Sequence, residues 1–369
     1  MREILDHLVR WQRDHVKYAL ATVIDTHGSA PLGAGTTMAI SDDGVIVGSI
    51  SGGCIEGAVI DIALDVIATG HASRQRFTIS DDDAFGVGLT CGGTLDVFIN
   101  SPSPAQQQML ETVRDATRQR IPVGIATVID EEEETISFVF DGRLQGSTGD
   151  PGLDARLESH MFAMLSKGES SLTTATVSLS SKSSAELFVH SFAHPPRMIV
   201  FGAIDYARAV TRIGKLMGYF VTVCDARSPF ATQARFPEAD EVVVDWPDRY
   251  LTTQILDERT VLCVLTHEEK FDVPLLARAL RLDVAYVGAM GSRSTCLNRE
   301  RELRSIGLTD TELDRLHAPI GLDIGGRTPA EAAVSIAAEI VASREGRPGT
   351  PLRDSAAPIH PRSIRLSAG

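Results

Sequence analysis

Arg197-Met198-Ile199-Val200-Phe201-Gly202-Ala203-Ile204-Asp205-Tyr206-Ala207 runs an apolar pentapeptide into a turn and then into a helical pattern that continues to Met217. Gly218 is placed to stop that helix, Tyr219–Cys224 is the next apolar run, and Asp225 ends it. Strand, glycine turn, helix, strand and acid is the order of a mononucleotide-binding unit, in which an acid roughly 20 residues past the first glycine meets a ribose hydroxyl. Ile204 stands where the GxGxxG pattern has its second glycine, and Ala207 fills the third position, which tolerates Ala. A branched side chain at 204 opposes the close approach of a pyrophosphate. The stretch therefore predicts the fold more strongly than it predicts a bound dinucleotide.

Downstream, apolar strands are expected at Glu241–Val244, Thr260–Leu265 and Val284–Val287, separated by helical patterns near Tyr250–Leu256, Pro274–Arg281 and Ser294–Ser305. Alternating β and α elements with near-continuous apolar strands predict a Rossmann-like, doubly wound parallel sheet over 197–345, with its ligand crevice at the carboxyl ends of the strands. Three loops end there: Asp225-Ala226-Arg227, Thr266-His267-Glu268-Glu269-Lys270 and Gly288-Ala289-Met290-Gly291-Ser292-Arg293. Gly202, Asp225, Arg227, Gly288, Ser292 and Arg293 are candidate nucleotide or anion contacts, because glycine turns that open helices, with Arg beside them, suit phosphate and carboxylate. His267 is either a surface histidine or an acid–base group of that crevice. Thr328, Pro329 and Glu331 form the N-cap, N1 and capping box of a helix that continues to about Arg344. Residues 346–369, rich in Pro, Arg, Ser and Ala, read as a disordered tail.

Upstream, Ser191-Phe192-Ala193-His194-Pro195-Pro196 reads as a linker, since Pro-Pro stiffens an extended connection. Residues 1–190 read as a separate mixed α/β domain of short elements, opened by an amphipathic helix over Glu3–Lys17 and a strand over Tyr18–Ile24. Its chemical focus is Ser51-Gly52-Gly53-Cys54-Ile55-Glu56-Gly57, which joins a strand to a helix over Ile55–Ala68. Glycines beside a thiol let the backbone approach a ligand, and a thiol near a helix start is biased toward thiolate. Glu56 is either a capping charge in the first helical turn or a polar group of the site. Cys91, in Leu89-Thr90-Cys91-Gly92-Gly93, is either a second site thiol or a buried small hydrophobe. Ser80-Asp81-Asp82-Asp83 reads as a solvated acidic turn or a hard-cation site, and Asp130-Glu131-Glu132-Glu133-Glu134 as a solvated loop.

The 369 residues suffice for two or three domains with ample core, and 43% hydrophobic content fits a globular chain. No apolar run reaches membrane-spanning length and the N-terminus lacks the apolar core of a signal peptide, so the cytoplasm is the expected compartment. Five cysteines without CxxC spacing argue against a disulfide framework and a structural zinc site. A formal charge of −14 disfavours nucleic acid and anionic membrane as partners, both of which need clustered Lys and Arg. A homodimer is expected, since two-fold homo-oligomers are common.

Gly28-Ser29-Ala30-Pro31, Gly48–Glu56, Leu89–Gly93, Asp225-Ala226-Arg227 with Arg235-Phe236-Pro237, Tyr286–Arg293 and Pro319–Glu339 follow one another in order. Together they resemble the XdhC/CoxI family. The resemblance implies an N-terminal domain carrying the cysteine motif, a C-terminal Rossmann domain, and an accessory role. That role is to bind molybdenum cofactor (molybdopterin), protect it during sulfuration and deliver it to a client, xanthine dehydrogenase or a related molybdenum hydroxylase, with a sulfurtransferase as a further partner. Gly52, Gly53, Cys54, Glu56, Cys91 and Gly92 are then the candidate cofactor contacts, and Cys54, a soft sulfur donor, the candidate molybdenum contact. Xanthine oxidation by this chain alone is not expected, because it lacks an iron–sulfur cysteine pattern and a flavin fingerprint. The alternative is an NAD(P)-dependent oxidoreductase with Asp225 on the ribose and His267 as acid or base.

Overall fold

Residues 1–28, 32–78, 93–130, 137–147, 150–175, 185–266 and 268–355 are described by a computed structural model, and they fall into two units, Met1–His194 and Pro195–Ser355. Cys91, Gly92 and His267 lie outside the described residues, as do Ser29–Pro31, the Asp81–Asp83 turn, Glu131–Glu134 and residues 356–369 of the expected tail. Among the described residues no helix is long and apolar enough to cross a membrane.

The first unit opens with a 3-10 turn, Arg2–Ile4, and helix α1, Leu5–Arg13. This helix stops short of the expected Lys17 because His15 adopts a left-handed φ of 57°. The His15 N–H then reaches Gln12 O (3.2 Å) and the Val16 N–H reaches Trp11 O (2.9 Å), a Schellman-type ending. Strands β1 (Tyr18–His27), β2 (Thr37–Ser41) and β3 (Ile46–Gly48), helix α2 (Glu56–Thr69), and strands β4 (Ser73–Thr78) and β5 (Thr94–Asn100) complete the first half. The sheet order is β3-β2-β1-β5-β4, antiparallel throughout. Val59, Ala63 and Val66 of α2 pack on Ala19, Ala21 and Val23 of β1.

The second half repeats this plan. It runs through α3 (Pro104–Arg118), β6 (Val123–Ile129), β7 (Ser137–Phe140), β8 (Leu144–Gln145), α4 (Pro151–Lys167), β9 (Ser171–Ala175) and β10 (Ala185–Phe192). Its sheet order, β8-β7-β6-β10-β9, is the same permutation of its own strands, again antiparallel. The α1–β1–β2–β3–α2–β4–β5 module is thus present twice. β10 extends two residues into the stretch expected as linker, because Phe192 is buried and pairs with Val123.

The second unit is a doubly wound parallel sheet, as expected. Its strands are β11 (Arg197–Phe201), β12 (Phe220–Cys224), β13 (Glu241–Val243), β14 (Val261–Val264), β15 (Tyr286–Ala289) and a two-residue β16 (Leu316–His317). They lie in the order β13-β12-β11-β14-β15-β16, all parallel, so the direction of winding reverses between β11 and β14. The helices are α5 (Asp205–Leu216), α6 (Pro247–Thr252), α7 (Glu269–Ala279), α8 (Arg293–Ser305), α9 (Asp310–Leu313) and α10 (Pro329–Arg344). One face of the sheet is covered by α5 and α10 through Ala207, Val210, Ala333, Ile336 and Ile340. The other is covered by α6, α7 and α8 through Tyr250, Leu251, Leu275, Leu276 and Leu303. Helix α7 begins five residues before Pro274, which sits inside it. The apolar contacts of Phe271, Leu275 and Leu276 hold that turn although proline removes one helical donor. The expected capping box of α10 forms, with the Glu331 N–H donating to Thr328 Oγ1 and the Thr328 N–H to Glu331 Oε2 (2.9 Å). Beyond α10, residues 346–355 include a 3-10 turn at Leu352–Asp354.

Candidate functional site

Ile50 and Ile55, both fully buried, pin the two ends of the loop between β3 and α2 into the core. Between them Gly52 and Gly53 take left-handed φ values of 76° and 112°, which L side chains rarely adopt, and a Cβ on either would meet nothing within 4 Å among the described residues. The two glycines therefore present open backbone, and the half-buried, unoxidised Cys54 thiol follows directly.

The loop is built on its own carboxylate. Glu56 Oε1 accepts from the Ser49 hydroxyl (2.6 Å) and the N–H groups of Ile50 (3.3 Å) and Ser51 (3.0 Å). Its Oε2 accepts from the N–H groups of Gly53 (3.0 Å) and Ile55 (3.2 Å) and from the Ser51 hydroxyl. The Cys54 N–H donates to Ser51 Oγ (3.0 Å) and the Gly52 N–H to Ser49 Oγ (3.1 Å). Every amide from 50 to 55 is thereby engaged inside the loop. Of the sequence alternatives for Glu56, the geometry gives it a capping role wider than a first-turn charge. An external anion is left only the first-turn N–H groups of α2 that every helix leaves without an intrahelical partner.

Burial alone would push the Glu56 carboxyl up, but the Ser49 and Ser51 hydroxyls and the loop amides outweigh it and hold the group at about 2. The folded value lies below the ordinary 4.5, so its stabilising contribution is in place above about 4.5 and is lost as pH falls toward 2. Glu56→Gln should remove this dependence. Urea midpoints of wild type and variant are expected to differ most at neutral pH and to converge as pH falls from about 4.5 to about 2; a constant gap would refute the role given to the carboxylate.

In the second unit Gly202, with φ 106°, follows β11, and a Cβ there would lie 2.9 Å from the Thr266 backbone N. Glycine is needed because the loops after β11 and β14 touch. Ile204 is extended at the N-cap of α5 and packs against the sheet core. Asp225 is buried, and its Oδ2 accepts from the Ala203 N–H (2.7 Å) and Arg227 Nη2 (2.7 Å). Its Oδ1 accepts from the Arg227 N–H and Nε, both at 2.9 Å. Four donors match the four lone-pair sites of a carboxylate, so the place of a ribose hydroxyl is taken by Arg227. Burial opposes ionisation of Asp225, and the Arg227 guanidinium overcomes it and keeps the carboxyl below its usual range. Arg227 also reaches Glu268 (3.4 Å) and lies over the Phe230 ring at 4.9 Å.

Gly202, Asp225 and Arg227 thus come together at the carboxyl ends of β11 and β12. Gly288 lies at the carboxyl end of β15, but a Cβ there would be 2.6 Å from Ile320 and Tyr286 atoms, so close packing accounts for this glycine. Ser292 caps α8 by accepting from the Thr295 N–H (3.2 Å), and Arg293, which is exposed, begins that helix.

A family model described as "XdhC and CoxI family" matches residues 11–78, and one described as "XdhC Rossmann domain" matches 198–340. The chain belongs to the XdhC and CoxI family. Within its XdhC-type N-terminal match lies the whole Cys54 loop. The chain is 26% identical over 345 residues to a probable xanthine dehydrogenase subunit of Bacillus subtilis (strain 168), covering 93% of this chain and 97% of that one. It is 23% identical over 325 residues to the molybdenum cofactor insertion chaperone PaoD of Escherichia coli (strain K12), covering 88% and 83%. The crystal structure of a xanthine dehydrogenase from Bacillus halodurans superposes with a TM-score of 0.69 at 24% identity, covering 96% of this chain and 98% of that chain, a likeness of fold.

Two polar clusters of this XdhC-type Rossmann unit, the first buried and the second half-buried, escape a reading of the sequence. Asp272 of α7 accepts from the Thr266 hydroxyl and from Arg299 Nη2 (2.5 Å), and Arg299 also donates to Met290 O (3.1 Å). This fastens the loop after β14 to the loop after β15. Glu339 of α10 accepts from the Gly321 N–H (2.7 Å) and the Tyr286 hydroxyl and lies 3.5 Å from His317 Nδ1. The available signal was a charged residue inside an apolar helical stripe, Asp272 beside Phe271 and Glu339 beside Ile340.

Proposed function

We propose that this chain is an accessory factor that binds molybdenum cofactor at the Cys54 loop and delivers it to a xanthine dehydrogenase-type molybdenum hydroxylase. The observation that carries this role is a half-exposed thiol held beside two glycines with open space above them, on a loop whose amides are satisfied internally. Such a loop keeps its shape whether loaded or empty, which suits repeated capture and release. The donor set fits the cargo: thiol sulfur is a soft ligand, and bare glycine backbone admits a bulky group beside it. Cys54 contacts the cargo, Gly52 and Gly53 leave room for it, and Glu56 positions the loop. The cargo supplies the client's redox centre once transferred. The insertion-chaperone and xanthine dehydrogenase names of the relatives support this role. Assistance to sulfuration, with a sulfurtransferase as a second partner and the chain as a homodimer, belongs to the same proposal.

The test is to purify the full chain from a host that makes molybdopterin, measure cofactor and molybdenum content, and mix it with a cofactor-free molybdenum hydroxylase. Cofactor should copurify and client activity should appear on mixing. Protein that carries no cofactor, accepts none and activates no client contradicts the proposal.

A further inference from the structure

The parallel sheet of the second unit ends at β16, which has no neighbouring strand on its outer side among the described residues. Beside that edge lies an open groove of about 260 Å³, lined by Arg293, Cys296, Leu297 and Glu300 of α8 and by Leu313 and Leu316. Leu297 is 59% exposed, whereas Leu303 of the same helix is spent on the core. Residues 293, 297 and 300 are spaced by four and three, so they share one face of α8, in the order cation, leucine, carboxylate. Arg293 is at odds with its place. It stands in the first turn of α8, where the helix dipole favours an acid, and that turn holds none. Its guanidinium makes no ion pair or hydrogen bond among the described residues. Glu300 spends Oε1 on Arg304 (2.8 Å), and its Oε2 makes no hydrogen bond among the described residues.

We propose that this face of α8 is the contact between two copies of the chain, related by a two-fold axis that passes beside Leu297. The two α8 helices then run antiparallel and their Leu297 side chains meet, with Leu313 and Leu316 as the apolar margin of the contact. Arg293, four positions before the axis, comes opposite Glu300 of the second copy, three positions after it. At a rise of about 1.5 Å per residue the two arms are roughly 6 and 4.5 Å long, a mismatch that long side chains absorb. A two-fold contact is self-complementary, so the same ion pair forms again on the other side of the axis. Any other partner would have to present these three groups in reverse order, whereas a second copy does so by symmetry. Each copy thereby supplies the acid that the start of α8 lacks and the apolar cover that Leu297 lacks. The contact rests on the homodimeric reading of the chain and on none of the cofactor chemistry at Cys54.

The test is sedimentation velocity of the full chain across a concentration series, with circular dichroism to show that each variant is folded. Wild type should form a dimer. Arg293→Glu sets like charges against each other twice per dimer and should weaken association at least tenfold, although glutamate suits the start of a helix better than arginine does. Combining it with Glu300→Arg exchanges the two charges and should restore association to within about threefold of wild type. Arg304 keeps Asp310 as a partner in that double variant. Should Arg293→Glu fail to fold, Leu297→Asp places two carboxylates at the axis and should also weaken association at least tenfold. A wild-type dimer that neither single variant weakens, or a folded double variant that stays dissociated, overturns this contact and leaves the homodimer standing elsewhere. A monomeric wild type overturns both.

Discussion

Asp272→Ala is expected to destabilise the Pro195–Ser355 unit by about 3–5 kcal/mol, because removing one partner of a buried ion pair strands the other charge. Asp272 and Arg299 are 1% and 2% exposed, so solvent does not screen the loss. Among the described residues Arg299 Nε and Nη1 are already buried without partners, and the substitution would remove the carboxylate on Nη2 as well. Thr266 would lose its acceptor together with it. The same principle predicts the rescue: replacing both residues by apolar side chains of similar size, Asp272→Leu with Arg299→Met, should recover most of the stability, since the desolvation of both ions disappears with them. Denaturant unfolding followed by near-ultraviolet circular dichroism measures both. A single-variant loss under about 1 kcal/mol, the range of exposed pairs, would show that the pair is solvated rather than buried.

The Rossmann half was legible because its strands are buried on both faces and read as unbroken apolar runs, a pattern that Met198–Phe201 and Val261–Val264 carry openly. The α10 capping box was equally legible, since its chemistry is local. What escaped depended on contacts distant in sequence. β16 holds two residues and exists through its pairing with Val287 and Gly288. The Asp225–Arg227 clasp was hidden because the same acid position serves a ribose in other proteins and only three-dimensional geometry shows which partner it has. The duplication of the N-terminal module was hidden because strand order, rather than residue identity, is what the halves share. At the cysteine loop the sequence picked out Gly52, Gly53 and Cys54, whereas the role of Glu56 required seeing one carboxylate meet donors from 49 to 55.

Cys54→Ser should reduce affinity for molybdenum cofactor at least tenfold, about 1.4 kcal/mol, while leaving the fold intact. Serine keeps the size of the side chain, and the loop is held by Ser49, Ser51 and Glu56 rather than by the Cys54 thiol. The substitution therefore isolates the sulfur. Cys224 and Cys263 do not substitute for it: both are buried, and burial pushes each thiol up to about 12, away from thiolate. The decisive measurement is an anaerobic titration of wild type and Cys54→Ser with molybdenum cofactor, with melting curves recorded alongside. Tight binding by wild type, a tenfold or greater loss in the variant and unchanged melting are expected; equal affinities in two equally stable proteins would contradict the assignment of Cys54 as the cofactor contact.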